Sequence, residues 1–143
     1  MRNKFSNNYP IINLYNKKII TSKIVTQMLY GENFTILKKF ENWYKIKLHT
    51  DNYVGFIIKK KFAKQFKPTH KISVLAANIY GKPSNKAKQN KKLTFSSKIY
   101  AKKNYGSFIK FENQWIRTKD LKPINYKDKN IFSKINLFKG KKY

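Results

Sequence analysis

The amino-acid sequence predicts an all-β fold, arranged as two small tandem barrels and followed by a short C-terminal helical stub. Three observations favour this fold. A unit of about 55 residues occurs twice, and the apolar residues within each unit alternate as they do in strands. Helical spacing of apolar residues begins only near Ile131, beyond both copies.

Three short segments of the first copy recur in the second. The pairs are Asn13–Lys17 with Asn78–Lys82, Gln27–Leu37 with Lys91–Ala101, and Gly55–Phe62 with Gln114–Leu121. The offset falls from 65 to 64 and then to 59 residues, so the second copy is shorter, mainly where the first has "LHTDN". We therefore predict domains at residues 8–63 and 69–124, joined by "KQFKPTHK" with Pro68 as the boundary, and a remaining segment at 125–143.

The stretch "ENWYKIKLHTDNYVGFIIKKKF" predicts a β-hairpin. Alternation in "WYKIKL" places Tyr44, Ile46 and Leu48 on one face, which we expect to be buried, and Trp43 on the other face with two lysines. "LHTDN" supplies the turn, and Gly55 marks either a close approach of another backbone or a β-bulge. Phe62 is expected to close the end of the barrel.

The chain is strongly basic, with 33 Lys and Arg against 6 Asp and Glu and a formal net charge of +27. Such a charge raises the hypothesis of binding to nucleic acid or to an anionic surface. Nearly all of the basic residues are Lys, and Arg2 and Arg117 are the only arginines. Because Asn, Ile, Phe and Tyr are also abundant, drift towards A/T-rich codons explains much of the charge, and Lys lacks the two-pronged fork of Arg.

The same composition argues against several kinds of chemistry. The sequence has no Cys, which excludes disulfides, thiolate metal sites and a Cys nucleophile. His49 and His70 fall in a predicted turn and in the linker, and the six carboxylates are scattered, so we predict no metal, no cofactor and no catalytic acid–base pair. No apolar run is long enough for a membrane span, and the N-terminus lacks the apolar core of a secretion signal, so we expect the cytoplasm.

Five aromatic residues are candidates for ligand or partner contact. Trp43 and Trp115 each have a basic neighbour and could form ligand platforms, although packing in a small core, or against a missing domain, is the favoured explanation. Tyr53, Tyr80 and Tyr105 lie near predicted turns, where we expect the hydroxyl to stay in water.

The order of the motifs resembles that of bacterial SH3-like domains: an apolar strand, a Gly-containing turn, a Trp-led alternating strand, a polar turn, a Gly–aromatic pair and a closing apolar residue. The second copy resembles the following SH3-like domain of NlpC-type, papain-like cell-wall cysteine peptidases, a family that includes cytoplasmic dipeptidyl-peptidases that trim peptidoglycan stem peptides. The residues that carry this second resemblance are Val74, Leu75, Ala77, Asn78, Tyr80, Lys82 and Pro83.

The C-terminal segment extends the resemblance. Ile131, Ile135 and Phe138 have helical spacing, Gly140 can end the helix, and the segment looks like the lead-in to an NlpC-type catalytic domain. In that family an aromatic–Gly–Gly turn and an Asp-Cys-Ser-Gly motif follow, whereas this sequence ends at Tyr143.

The resemblance implies a non-catalytic targeting or substrate-positioning module, truncated or split from its peptidase domain, so this chain is not expected to be an enzyme. It also implies that in relatives the first barrel lies near the active cleft and helps to select peptides with a free N-terminus. The expected partners are peptidoglycan stem peptides and a missing or adjacent catalytic domain. A basic nucleic-acid-binding protein and a stand-alone peptide-binding adaptor remain as alternatives, because fold alone does not settle function.

Overall fold

The chain forms two compact units, Met1–Lys67 and Pro68–Tyr143, in a computed structural model that describes residues 3–126. Within the described residues the regular structure is strand, apart from single 3₁₀ turns at Asn85–Ala87 and Thr118–Asp120. The predicted all-β class is therefore confirmed. The helix predicted from Ile131 to Phe138 lies outside the described residues.

The first unit is one antiparallel sheet of seven strands. In chain order these are β1 (Lys4–Ser6), β2 (Ile11–Tyr15), β3 (Ile24–Leu29), β4 (Asn33–Lys39), β5 (Trp43–Leu48), β6 (Val54–Ile58) and β7 (Ala63–Lys64). Their order in the sheet is β3-β2-β6-β5-β4-β1-β7.

Alternation along these strands places one buried side-chain cluster on the inner face of the sheet. Its members are Ile12, Leu14, Met28, Phe34, Ile36, Ile46, Leu48 and Ile57. The rings of Phe34 and Phe62 meet edge to face, with centroids 4.9 Å apart. Phe62 therefore packs on the core, as the sequence predicts.

The segment after β1 is tied to the β3 end of the same sheet. The Asn7 side-chain amide donates to the carbonyl oxygens of Met28 and Leu29, and the Gly31 amide donates to the Asn7 carbonyl. The sheet therefore curls around its own core. Because the recorded pairing ends at β3 on one side and at β7 on the other, the sheet is open, and a closed barrel stays a prediction.

The predicted hairpin is present as β5 and β6. Ile46 lies opposite Gly55, and residues 49–53 form the turn. A Cβ atom on Gly55 would lie 3.1 Å from both the Leu14 Cβ and the Tyr15 carbonyl oxygen. The close approach predicted at this glycine is thus confirmed.

The second unit contains strands β8 (His70–Ile72), β9 (Ala76–Tyr80), β10 (Lys88–Thr94), β11 (Lys98–Ile99), β12 (Lys103–Tyr105), β13 (Phe108–Phe111), β14 (Gln114–Arg117) and β15 (Leu121–Pro123). They form a sheet of order β10-β9-β14-β13-β12 and a smaller sheet of order β11-β8-β15. Joined end to end, these orders repeat the order of the first unit, with β11 and β12 together in the place of β4. The interruption between β11 and β12 divides the sheet.

Strand pairing fixes which residues of the two units correspond. Tyr15 lies opposite Phe56 in the first unit, and Tyr80 lies opposite Trp115 in the second. In the second unit the hairpin is shorter, because a two-residue turn joins Phe111 and Gln114. The second copy therefore loses its residues where the first has "LHTDN", as predicted.

One predicted alignment is wrong by one residue. Met28 lies opposite Ile12, and its buried counterpart Leu93 lies opposite Ala77. The offset in this segment is thus 65 residues rather than 64. The predicted alignment placed Leu93 against Leu29, because the two residues are identical. The sequence does not show that Met28 is the residue buried at the equivalent place in the sheet.

The same correspondence yields a stability prediction. Gly31 and Ser96 occupy equivalent turns, with φ of 84° and 76°. A left-handed backbone costs a non-glycine residue about 1–2 kcal/mol, which the flexibility of glycine in the unfolded chain partly offsets. We expect Ser96→Gly to raise the free energy of unfolding by about 0.5–1 kcal/mol in urea titrations. Ser96→Ala, which keeps the Cβ atom, should give no such gain, and an equal gain from both variants would contradict the argument.

Candidate functional site

Four aromatic side chains gather on the outward face of the first unit. Tyr15, Phe40, Trp43 and Phe56 form this aromatic surface. The rings of Tyr15 and Trp43 meet edge to face at 5.8 Å, and the rings of Phe40 and Phe56 lie 6.1 Å apart. Tyr15 is buried, whereas the other three are half-buried and keep part of each ring at the surface.

The sheet register explains this gathering. Trp43 and Lys45 share the outward face of β5, and Lys45 lies opposite Phe56, which lies opposite Tyr15 on β2. Phe40 joins them because its backbone amide donates to the Trp43 carbonyl. Three neighbouring strands and one turn thus supply the aromatic surface.

Lysine ammonium groups border the aromatic surface. The Lys18 Nζ lies 3.8 Å from the centre of the Phe40 ring, and the Lys38 Nζ lies 5.2 Å from the same centre. Both are within the range of cation–π attraction. The arrangement can pack a flat or apolar group on the rings while the lysines attract a carboxylate or a phosphate.

The five predicted contact residues are divided between the two units of the chain. Trp43 belongs to the aromatic surface, and Tyr53 is exposed on the turn between β5 and β6. In the second unit the rings of Tyr105 and Trp115 meet at 6.4 Å, with Tyr105 exposed and Trp115 half-buried. Tyr80 is the strand neighbour of Trp115, so the structure brings three of the five together.

The expectation that the Tyr80 hydroxyl stays at the surface is wrong, because Tyr80 is only 1% exposed. Tyr80 lies at the end of β9, opposite Trp115, and its ring packs edge to face on Phe108 at 5.2 Å. The Arg117 guanidinium lies 5.3 Å from the centre of the same ring. The position of Tyr80 near a predicted turn suggested exposure, but Phe108 and Arg117, which are distant in sequence, cover its ring.

The second unit contains a polar cleft that was not predicted from the sequence. Asn85, Ser107, Arg117, Thr118 and Lys119 line it, and its volume is about 250 Å³. The one available signal was that Arg117 is an arginine in a chain whose basic residues are nearly all lysine.

Three titratable side chains, His49, His70 and Asp120, have surroundings that bear on their chemistry. The His49 ring lies between the Thr35 hydroxyl at 2.7 Å and the Gln65 amide at 3.4 Å. Burial lowers the pKa of His70. Burial raises the pKa of Asp120, and the positive charges of Lys119 and Arg117 oppose that shift.

No group of three or more His, Asp or Glu side chains placed to hold a metal ion occurs among residues 3–126. None of the helices in that part of the chain is long and apolar enough to cross a membrane.

The whole aromatic surface falls within a recognisable domain. Residues 14–61 match the family described as the bacterial dipeptidyl-peptidase SH3 domain. This segment is a bacterial SH3-like domain. The family resemblance predicted from its motifs is therefore confirmed for the first unit, and the hairpin with Trp43 and Gly55 is part of the matched segment.

Solved structures show a similar fold. An NlpC/P60 family protein from Bacillus cereus ATCC 10987 matches with a TM-score of 0.75 and 14% identity, over 94% of this chain and 63% of its own. At this identity the likeness concerns the fold, and this chain spans less than two thirds of that protein.

Two further structures match with much lower similarity in shape. NlpC2 and NlpC1 from Trichomonas vaginalis each have a TM-score of 0.35 and 17% identity over 87% of this chain, covering 47% and 45% of their own. A search of curated proteins finds no match to this chain.

Proposed function

We propose that this chain is the non-catalytic SH3-like module of a peptidoglycan-peptide hydrolase and positions stem peptides for an NlpC-type cysteine peptidase domain. The match of residues 14–61 to the dipeptidyl-peptidase SH3 domain carries this proposal. The fold shared with an NlpC/P60 family protein supports it.

The chemistry of the aromatic surface suits such a ligand. Stem peptides combine short apolar side chains with free carboxylates. Apolar groups would pack on the half-buried ring of Trp43, while Lys18 and Lys38 would attract the carboxylates.

The proposed role excludes peptide cleavage by these 143 residues. Catalysis in the resembled family requires a thiolate nucleophile beside a His base, and the sequence contains no Cys. We propose that the two units are barrels at 8–63 and 69–124, and that a peptidase domain is the natural partner of the module. The cytoplasmic location expected from the sequence stays a prediction.

Replacing Trp43 tests this function. We expect Trp43→Ala to weaken binding of a stem peptide that ends in a diamino acid by about tenfold or more, because truncating a Trp at the centre of a binding surface costs about 2 kcal/mol or more. Trp43→Phe, which keeps a ring, should lose much less. Isothermal titration calorimetry on the complete chain at 150 mM salt measures both.

Tyr100→Ala provides the matched control, because Tyr100 is an exposed aromatic residue of the second unit. It should bind the peptide as the parent chain does. Circular dichroism must first show that Trp43→Ala is folded, since Trp43 also packs on Tyr15. If the folded variant retains full affinity, or if the parent chain does not bind the peptide, the proposed function is wrong.

A second candidate function is nucleic-acid binding. The net charge of +27 and the lysines above the Phe40 ring favour it. Aromatic rings beside cations can stack bases without sequence preference.

A further inference from the structure

The polar cleft of the second unit is built around one arginine. Arg117 is the last residue of β14, and residues 118–120 turn away from it as a 3₁₀ turn. Ser107 and Thr118 border the cleft, and both the backbone amide and the hydroxyl of Thr118 donate to the Ser107 carbonyl. These bonds hold two hydroxyl-bearing residues at the mouth of the cleft.

The guanidinium of Arg117 is fixed from two sides. Its Nη2 donates to the Asn85 Oδ1 at 2.6 Å, and its Cζ lies 5.3 Å from the centre of the buried Tyr80 ring. Asn85 uses one of the five N–H donors of the guanidinium. An arginine held in this way presents its fork in a set orientation, which reduces the entropy lost when an anion binds.

The first unit shows that the fold does not require an arginine at this position. Trp43 lies opposite Ile58, and the equivalent Phe108 lies opposite Arg117. Ile58 lines a hollow of about 150 Å³ in the first unit, together with residues of β2 and Lys60. The second unit thus has a charged side chain at the place in the sheet where the first unit has an apolar one.

Charge near the cleft selects the kind of anion. Lys119 adds a second positive charge, whereas Asp120 lies close enough for Arg117 and Lys119 to affect its pKa. A singly charged carboxylate meets less repulsion from Asp120 than a doubly charged phosphate does. The planar carboxylate also matches the two parallel donors of a guanidinium.

We propose that this cleft binds the carboxylate of a small peptide or amino acid, with Arg117 as the main ligand and the Ser107 hydroxyl as a further hydrogen-bond donor. A volume of about 250 Å³ accommodates a carboxylate together with one small residue. The site lies in the second unit and does not depend on the function proposed for the aromatic surface.

The test uses the complete chain, labelled with ¹⁵N, and the probe N-acetyl-alanyl-alanine. We expect saturable shifts of the Ser107 and Thr118 amide signals, and no such shifts with the C-terminal amide of the same dipeptide. Arg117→Ile, which installs the residue of the first unit, should weaken binding by about tenfold or more, because hydrogen bonds to charged groups are among the strong ones. Arg117→Lys should bind less tightly than the parent chain, since an ammonium lacks the fork.

Lys92→Gln is the matched control. Lys92 lies opposite Asn78, and the equivalent Gln27 lies opposite Asn13, so this variant also installs a residue of the first unit and also removes one positive charge. It should change affinity by less than about twofold. If Arg117→Ile is not folded, as judged by the dispersion of its amide signals, Arg117→Gln replaces it.

Three results would overturn the proposal. The first is equal binding of the acid and the amide, and the second is equal weakening by the Arg117 and Lys92 variants. The third is tighter binding of inorganic phosphate or an oligonucleotide than of the dipeptide at this cleft in 150 mM salt, which would assign it to phosphate groups.

Discussion

Phe34→Ala is expected to lower the free energy of unfolding of the first unit by about 3–5 kcal/mol, because truncating a buried Phe loses its burial and leaves a cavity. Phe34 is fully buried and contacts the rings of Phe5 and Phe62 on either side. It therefore joins β1, β4 and the segment after β6. A domain of this size has only a few kcal/mol of stability in total, so we expect this unit to be largely unfolded in the variant.

Leu37→Ala on the same strand is the control. Leu37 is 50% exposed, and its truncation should cost less than about 0.5 kcal/mol. Amide signals followed through a urea titration report the two units separately. Equal loss of stability in the two variants, or unfolding confined to the second unit, would show that Phe34 does not hold this core together.

The parts of the fold that depend on neighbouring residues were predictable from the sequence. Alternation in "WYKIKL" identified the buried face of β5, and the turn residues after it located the hairpin with β6. The recurrence of "NLYNK" as "NIYGK" identified β2 and β9, which share one pattern of buried and exposed residues. Such patterns are visible because the side-chain period of a strand is fixed by its geometry.

Features that depend on distant residues were not predictable. Tyr80 is covered by Phe108 and Arg117, which lie on strands later in the chain. The bond between Asn85 and Arg117 joins residues 32 positions apart, and nothing in the local sequence of either residue indicates the other. The polar cleft was missed for that reason.

The two tryptophans illustrate the same difference. Each looked like a platform because each stands near a basic residue. Pairing shows that they occupy different places in the repeated unit: Trp43 corresponds to Phe108, which packs on Tyr80 as Trp43 packs on Tyr15. Trp115 corresponds to Phe56 instead. The aromatic surface of the first unit is therefore not repeated residue by residue in the second.

The basic charge of the chain has two interpretations, and they predict different dependences of binding affinity on salt concentration. If lysines serve a small peptide ligand, a few charges act at short range and beside aromatic rings. If they serve nucleic acid, many lysines contact phosphates at once, and each contact releases a counterion from the strand.

We expect a single-stranded oligonucleotide to bind the complete chain in 50 mM salt and to lose about 10³-fold in affinity by 200 mM, as many phosphate contacts require. A heparin-like polyanion should compete with it equally, because binding that rests on the net charge of +27 does not distinguish one polyanion from another. Stem-peptide binding should persist at 150 mM, since packing on Trp43 is insensitive to screening. Fluorescence anisotropy of a labelled oligonucleotide across this salt range gives the slope of log affinity against log salt concentration.

The nucleic-acid function would replace the proposed one if the oligonucleotide stayed bound at 200 mM salt, resisted competition by heparin and lost affinity on Trp43→Ala. Base stacking on the aromatic surface would then contribute to binding beyond charge.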